Sequence, residues 1–175
     1  NPDWDVLLDL DAVAARESEN WVWSRVTILR PDYTRCLISL SRGGADATVT
    51  REFDLEKREF VPDGFVRPES KGGMDWIDRD TVYVFTNFGD GSMTKSGYPR
   101  IVKQWNRGRP MEDARLIYEG VAEDMSISAT HDDSPGFERD FVRRMIAFYN
   151  YELFLRGPGD ALTKIDVPNS ANKSV

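Results

Sequence analysis

His131 is the only histidine in the chain, so it is the first residue to consider for chemistry. It lies in a polar segment, residues 130–136, and two acids, Asp132 and Asp133, follow it directly. A histidine beside carboxylates could act as a general base or bind a metal. The polar and turn-forming residues around it favour a simpler interpretation, in which His131 is an exposed histidine in a loop.

The sequence does not indicate a serine nucleophile. The nucleophile elbow of an α/β-hydrolase has the frame Gly-x-Ser-x-Gly, and the serines here, including Ser92, Ser96 and Ser134, lack it. A Ser-His-Asp triad would also have to use His131 as its base, since the chain has no second histidine. We therefore predict no catalytic residue in this chain.

Metal and cofactor sites also lack a specific signal. Residues 87–92, Asn-Phe-Gly-Asp-Gly-Ser, slightly resemble a calcium loop, but the spaced acids and the closing glutamate of an EF-hand are missing. A flexible loop tip is the better interpretation. Cys36 is the single cysteine, which excludes an internal disulfide and a multi-cysteine zinc site, and its apolar neighbours predict a buried small hydrophobe. We predict no metal ligand and no cofactor-binding residue.

The five tryptophans could form a stacking platform for sugars or nucleotides. Trp23, Trp76 and Trp105 occur in strand-like patterns, which favours a place in the core. Trp4 and Trp21 fit either interpretation.

The charge balance is acidic, with 23 Lys and Arg against 30 Asp and Glu and a net charge of −7. Nucleic acids and anionic membranes select clustered positive charge, so we predict neither as a partner. No apolar run approaches the roughly 20 residues that cross a bilayer, and no signal peptide is visible. The chain begins at Asn1 and resembles a piece of a longer protein. We expect a cytoplasmic location, and a periplasmic one stays open.

Strand signals dominate from Trp21 onward, because short β-branched and aromatic runs alternate with turn-forming residues. Residues 38–60 show the pattern most clearly, as three short strands joined by tight turns. Residues 5–16 carry apolar residues at helical spacing and predict either a short helix or an extended lead-in. Residues 141–149 could also line one face of a helix, but turns at hairpin spacing behind them favour a strand.

The strand layout recurs along the chain. The predicted third strands end near Phe53, Trp105 and Leu155, at intervals of 52 and 50 residues. Four strands in each period of about 40–50 residues are typical of β-propeller blades. We therefore predict an all-β fold, a partial β-propeller of about three four-stranded antiparallel blades. The predicted segments are a lead-in or the end of a preceding blade at residues 1–20, and blades at residues 21–65, 66–120 and 121–175.

Three blades cannot close a ring, because propellers have about four to eight. Open blade edges would expose apolar surface to water. Such a chain is either part of a larger ring or a binding module that closes by dimerisation through its open edges. A propeller-type hydrolase with paired acids near the axis, as in some glycosidases, is a further alternative.

A series of short motifs runs through nearly the whole chain. In order they are Leu-Leu-Asp-Leu-Asp at residues 7–11, Pro-Asp-Tyr at 31–33, Leu-Ser-Arg-Gly-Gly-Ala-Asp at 40–46, Arg-Glu-Phe-Asp-Leu at 51–55, Met-Asp-Trp at 74–76, Gly-Phe at 136–137 and Lys-Ile-Asp-Val-Pro at 164–168. Together and in this order, they resemble the N-terminal propeller of the prolyl oligopeptidase family.

The resemblance implies a serine peptidase of two domains. In this family an α/β-hydrolase domain carries the Ser-Asp-His triad, and a seven-bladed propeller covers it, admits short peptides and excludes folded proteins. The chain matches only part of that propeller, so no catalytic residue of the family is assigned to it. The expected function is that of a substrate-gating propeller fragment, not catalytic by itself, of a peptidase that hydrolyses short proline-containing peptides. The expected partners are the hydrolase domain of the same parent chain and the peptide substrate.

Overall fold

The computed structural model describes residues 3–172, which belong to two compact units divided between Ser70 and Lys71. Both units consist mainly of antiparallel strands. The first unit contains α1 (Leu10–Glu17), β1 (Trp21–Ile28), β2 (Arg35–Arg42), β3 (Thr48–Asp54), β4 (Glu59–Phe60) and β5 (Val66–Ser70). The second contains β6 (Gly73–Asp78), β7 (Thr81–Phe85), β8 (Ile101–Asn106), β9 (Arg115–Glu119), β10 (Ser126–Asp132), β11 (Arg139–Ala147), β12 (Asn150–Arg156) and β13 (Leu162–Lys164), with short 3-10 turns at Met111–Asp113 and Pro158–Asp160.

Helix α1 begins after Asp9, whose side chain accepts a hydrogen bond of 3.0 Å from the backbone N–H of Ala12 and so caps the first turn. It ends at Ser18, which adopts a left-handed conformation with φ 55°. Of the two structures predicted for residues 5–16, the helix is confirmed from Leu10 onward, while the described residues before it are not helical. No helix in residues 3–172 is long and apolar enough to span a membrane.

The sheet of the first unit has the order β1-β2-β3-β4, and β5 also pairs with β3. The sheet therefore reaches Ser70, whereas the predicted boundary between residues 65 and 66 would assign β5 to the next blade. Arg67 explains the position of β5, because its guanidinium donates hydrogen bonds of 2.6 Å to Thr48 Oγ1 and 3.0 Å to Thr50 Oγ1 on β3. The pairing of β5 with β3 depends on these tertiary hydrogen bonds, which the alternation of residues along a strand does not reveal.

One face of this sheet forms the apolar core of the first unit together with α1. The buried members of the core are Val13, Trp21, Cys36, Ile38, Leu40 and Phe53. Cys36 is 1% exposed, which confirms the prediction of a buried small hydrophobe. Burial raises the pKa of its thiol to about 12, so the reactive thiolate form is scarce at neutral pH.

The second unit consists of two four-stranded antiparallel sheets, β6-β7-β8-β9 and β10-β11-β12-β13, which we call the second and third sheets. They share one core, whose buried members are Tyr83, Val102, Ile127, Ala129 and Val142. The strand predicted for residues 141–149 is confirmed up to Ala147, and the helical alternative is wrong. β11 is a central strand whose backbone pairs with β10 on one side and with β12 on the other, which a helix could not do.

The predicted period is present in the structure. The third strands of the three sheets, β3, β8 and β12, end at Asp54, Asn106 and Arg156, which are 52 and 50 residues apart. Each sheet orders its first four strands in the sequence in which they occur in the chain. This meander repeated at constant spacing is the pattern of propeller blades.

Gly72 provides a test of how tightly the second sheet is built. Its φ is +133°, and a Cβ at this position would lie 2.1 Å from the carbonyl oxygen of Phe85, at the end of β7. We expect Gly72→Ala to lower the free energy of unfolding by about 3 kcal/mol, because both the backbone strain and the clash with a backbone atom must be relieved. The measurement is urea unfolding followed by tryptophan fluorescence.

Gly97→Ala is the matched control for this variant. Gly97 also has a positive φ, +76°, but no atom lies within 4 Å of the position of its Cβ. We expect a loss of only about 1 kcal/mol, the cost of the left-handed conformation. Equal losses in the two variants would show that the close approach at Gly72 does not contribute.

Candidate functional site

His131 lies in a strand and not in a loop. In the pairing of β10 with β11, His131 is opposite Asp140, and Asp132 is opposite Arg139. The side chain of His131 is 17% exposed, and its Nδ1 lies 3.0 Å from Asp140 Oδ1. The prediction of an exposed loop histidine is therefore wrong. The reason is that the hairpin turn begins only after Asp132, so the polar segment at residues 130–132 still belongs to the sheet.

The electrostatics of this pair favour its charged form. The hydrogen bond to Asp140 raises the pKa of His131 above its ordinary value, and the charges of Asp140, Asp133 and Asp75 add to the effect, against the opposing effect of burial. Burial would raise the pKa of Asp140, but hydrogen bonds from His131 and Tyr83 outweigh it and keep that pKa below its ordinary value. Both shifts favour an imidazolium paired with a carboxylate over the neutral pair.

Asp140 is also part of an inter-sheet network, which we define as Tyr83, Gln104, Asp140 and Arg156. Arg156 of the third sheet donates hydrogen bonds of 2.5 Å to Tyr83 Oη and 2.8 Å to Gln104 Oε1, both on the second sheet. Tyr83 is fully buried, and burial raises the pKa of its hydroxyl above the ordinary value, so the hydroxyl stays protonated. The network therefore links the two sheets through polar groups at the edge of their shared core.

His131 and Asp140 are the residue types of the base and acid in a catalytic triad. The hydroxyls of Ser92, Ser96 and Ser134, however, bond to other groups. Ser134 Oγ donates to Asp132 Oδ1 at 2.6 Å, and Ser92 Oγ donates to the carbonyl oxygen of Gly89 at 2.6 Å. Ser96 Oγ donates to the carbonyl oxygen of Met125 at 3.2 Å. The arrangement therefore suits a structural ion pair better than acyl transfer, which requires a nucleophile within hydrogen-bonding reach of its base.

The loop at residues 87–92, which slightly resembles a calcium site, is bonded by the side chain of Arg100 from outside the loop. Arg100 donates from Nε to the carbonyl oxygen of Gly91 at 2.7 Å and from Nη1 to the carbonyl oxygen of Gly120 at 3.0 Å. Asn87 Oδ1 accepts from the backbone N–H of Gly89 at 2.8 Å. Oxygen atoms that a calcium ion would need are thus used by a guanidinium and by the turn. In residues 3–172, no group of three or more His, Cys, Asp or Glu side chains is placed to hold a metal ion.

The tryptophans divide between core and surface. Trp76 and Trp105 of the second unit are buried, as predicted, and Trp21 is buried in the core of the first unit. The prediction for Trp23 is wrong, because its side chain is 47% exposed. β1 pairs with β2 alone, and its register shifts between Trp23 and Arg25, so Trp23 lies on an edge strand beside a bulge.

Sequence reasoning missed a polar face on the sheet of the first unit. Four residues at alternate positions of β3 are buried, namely Thr48, Thr50, Glu52 and Asp54. Arg67 of β5 is also fully buried, and burial lowers the pKa of its guanidinium to about 10. The signal was available in the sequence, since Thr-x-Thr-x-Glu-x-Asp has the period of two that places all four side chains on one face of a strand.

A family model and two related proteins match this chain over most of its length. The family model of the prolyl oligopeptidase N-terminal β-propeller domain matches residues 1–136. The uncharacterized peptidase y4nA of Sinorhizobium fredii is 39% identical over 155 residues, which cover 87% of this chain and 21% of the relative. The uncharacterized peptidase RP174 of Rickettsia prowazekii is 31% identical over 183 residues, which cover 97% of this chain and 25% of the relative.

A solved structure of a post-proline cleaving enzyme from Rickettsia typhi superimposes with a TM-score of 0.89 at 30% identity. The match covers 97% of this chain and 26% of that one, so the chain spans about a quarter of the length of the proteins it matches. The predicted fold class, an all-β partial propeller, is confirmed by this superposition and by the family model. The chain belongs to the prolyl oligopeptidase family, as part of its N-terminal β-propeller domain.

Proposed function

We propose that this chain is part of the substrate-gating propeller of a serine peptidase that hydrolyses short, proline-containing peptides. The observation that carries the proposal is the match to the family propeller combined with the bonding of the candidate serines away from His131. A scaffold of this kind contributes to catalysis by restricting access to a nucleophile that lies elsewhere. In the proposed parent protein, the nucleophile belongs to an α/β-hydrolase domain of the same chain.

The gating acts through size. Sheets packed side by side in a ring leave a narrow passage, through which an extended peptide fits and a folded protein does not. A covering domain also keeps bulk water and wrong substrates away from the reacting groups. The name of the Rickettsia typhi enzyme supports the preference for proline, since that protein is described as cleaving after proline.

The first test concerns catalysis by the chain itself. We expect the purified 175-residue chain to show no turnover of a chromogenic Gly-Pro peptide, because the ring of its single histidine bonds to Asp140 while Ser92, Ser96 and Ser134 bond elsewhere. The full-length parent should hydrolyse the same peptide. Initial rates by absorbance provide the measurement.

The control for contaminating peptidases is His131→Gln. Turnover by the chain that survives in His131→Gln would come from an impurity. Turnover that is lost in this variant would place a catalytic base on the chain and would overturn the proposal.

The second test concerns gating. The parent should cleave a proline-containing peptide when it is free and should leave the same sequence intact within a folded protein, because the passage excludes the folded substrate. Cleavage is followed by mass spectrometry. Equal rates on the free peptide, the folded host and the unfolded host would contradict a gating role.

A binding module that closes by dimerisation is the second candidate, and one observation favours it. Trp23, Val26 and Ile28 on edge strand β1 are 40–47% exposed. They pair with Leu40, Ile38 and Cys36 and therefore share the face of the buried core. An apolar strip that continues a core into solvent is typical of a surface covered by another sheet.

Solution mass distinguishes the two candidates. The gating proposal predicts that the isolated chain forms no stable dimer of defined size in analytical ultracentrifugation. The reason is that its open edges pack against the other blades of the propeller in the parent protein. A stable dimer that dissociates in the variant Val26→Lys, while the exposed control Val121→Lys keeps it, would favour the module.

A further inference from the structure

We propose that His131 is a proton-dependent latch between the second and third sheets, which is tight when the imidazole is charged and loosens when it is neutral. The inference goes beyond the proposed gating function and does not depend on it. Its basis is the position of one histidine among carboxylates that come from both sheets.

The geometry joins the first strands of the two sheets. His131 is on β10, and its backbone N–H donates to Asp75 Oδ2 of β6 at 3.4 Å. Its ring Nδ1 bonds to Asp140 of β11 at 3.0 Å. Asp140 in turn accepts a hydrogen bond from Tyr83 of β7, so the carboxylate that holds the imidazole also contacts the second sheet.

The charged groups that face the imidazole are mainly acidic. β6 contributes Asp75, the segment directly after β10 contributes Asp133 and β11 contributes Asp140, and each of these charges stabilises the imidazolium. Glu138, in the turn between β10 and β11, also interacts with the charge of His131. Among the described residues, Tyr83 of β7 and Arg156 of β12 act on Asp140, and Asp132 next to His131 pairs with Arg139 at 2.5 Å.

Loss of the proton changes the balance of this cluster. With a neutral ring, Asp75 of the second sheet and Asp140 of the third sheet both lose their attraction to the imidazolium, while the negative charges of the cluster remain. A neutral Nδ1–H can still donate to Asp140, so the latch loosens without a complete break. The bonds of Arg156 to Tyr83 and Gln104 do not depend on this proton, and they continue to hold the two sheets together.

The direction of the pH dependence follows from linkage. The pKa of His131 is raised in the folded protein, so its stabilisation is fully present below the unfolded pKa of about 6.5 and is lost as the pH rises through the folded pKa. Each unit between the two pKa values corresponds to about a tenfold change in the folding equilibrium constant. We therefore expect the latch to be tight at pH 6 and to loosen at alkaline pH.

The experiment uses the fact that His131 is the only histidine, so its ring resonances are unambiguous in NMR spectra. The ring is titrated in the 175-residue chain, in Asp140→Asn and in the matched control Glu112→Gln, whose side chain is exposed and distant from the imidazole in the sequence and the sheet order. We expect His131 to titrate above 6.5, to shift downward in Asp140→Asn and to stay unchanged in Glu112→Gln. A titration at or below 6.5, or no shift in Asp140→Asn, would overturn the latch.

A second readout separates the latch from a purely structural role. Hydrogen-exchange protection factors of β6 and β10 are compared with those of β8 and β12 between pH 6 and pH 9. We expect protection to fall in β6 and β10 of the wild type and to be independent of pH in His131→Gln. If Asp140→Asn does not fold, Asp75→Asn replaces it in the titration, with the same direction of shift. The same pH dependence in wild type and His131→Gln would contradict the proposal.

Discussion

Burial of apolar sheet faces is the constraint on which the rest of this structure depends. A four-stranded sheet with an apolar face is not stable in water alone, so it needs a second layer. In the second unit the two sheets provide that layer for each other, through Tyr83, Val102, Ile127, Ala129 and Val142. A fully buried aliphatic or aromatic side chain contributes about 1.5–3 kcal/mol, while a neutral hydrogen bond contributes a net amount of about 1 kcal/mol. The apolar core therefore provides most of the free energy that holds the sheets together, and the polar groups determine how the two sheets align.

The inter-sheet network is one of the polar features that align the second and third sheets. Arg156, Tyr83 and Gln104 link the two sheets at the margin of the apolar core, where a wrong fit would leave buried polar groups without partners. His131 and Asp140 extend the same margin toward β6. The only histidine of the chain thus acts at a contact between blades, where a proton can change how firmly two blades adhere. We propose that a propeller scaffold responds to its surroundings in this way, in addition to its gating role.

Much of the fold could be predicted from the sequence, because strand signals are local. Alternating β-branched and aromatic residues, with Gly, Pro and Asp between them, located the strands, and the period of 52 and 50 residues located the repeats. The features that could not be predicted depend on which strands pair and in which register. β5 belongs to the first sheet because of the bonds of Arg67 to threonines on β3, and Trp23 is exposed because β1 is an edge strand with a register shift. His131 was misplaced because the register of a hairpin determines where its turn begins. That the chain carries no catalytic residue stays a prediction, which activity measurements have to test.

The most direct measurement is active-site labelling of the full-length parent protein. A fluorophosphonate probe reacts with an activated serine, and peptide mapping by mass spectrometry then identifies the modified residue. Our account predicts a single labelled serine outside these 175 residues, in a Gly-x-Ser-x-Gly frame. A label on Ser92, Ser96 or Ser134 would contradict the account, because it would show that the reactive serine belongs to the propeller itself.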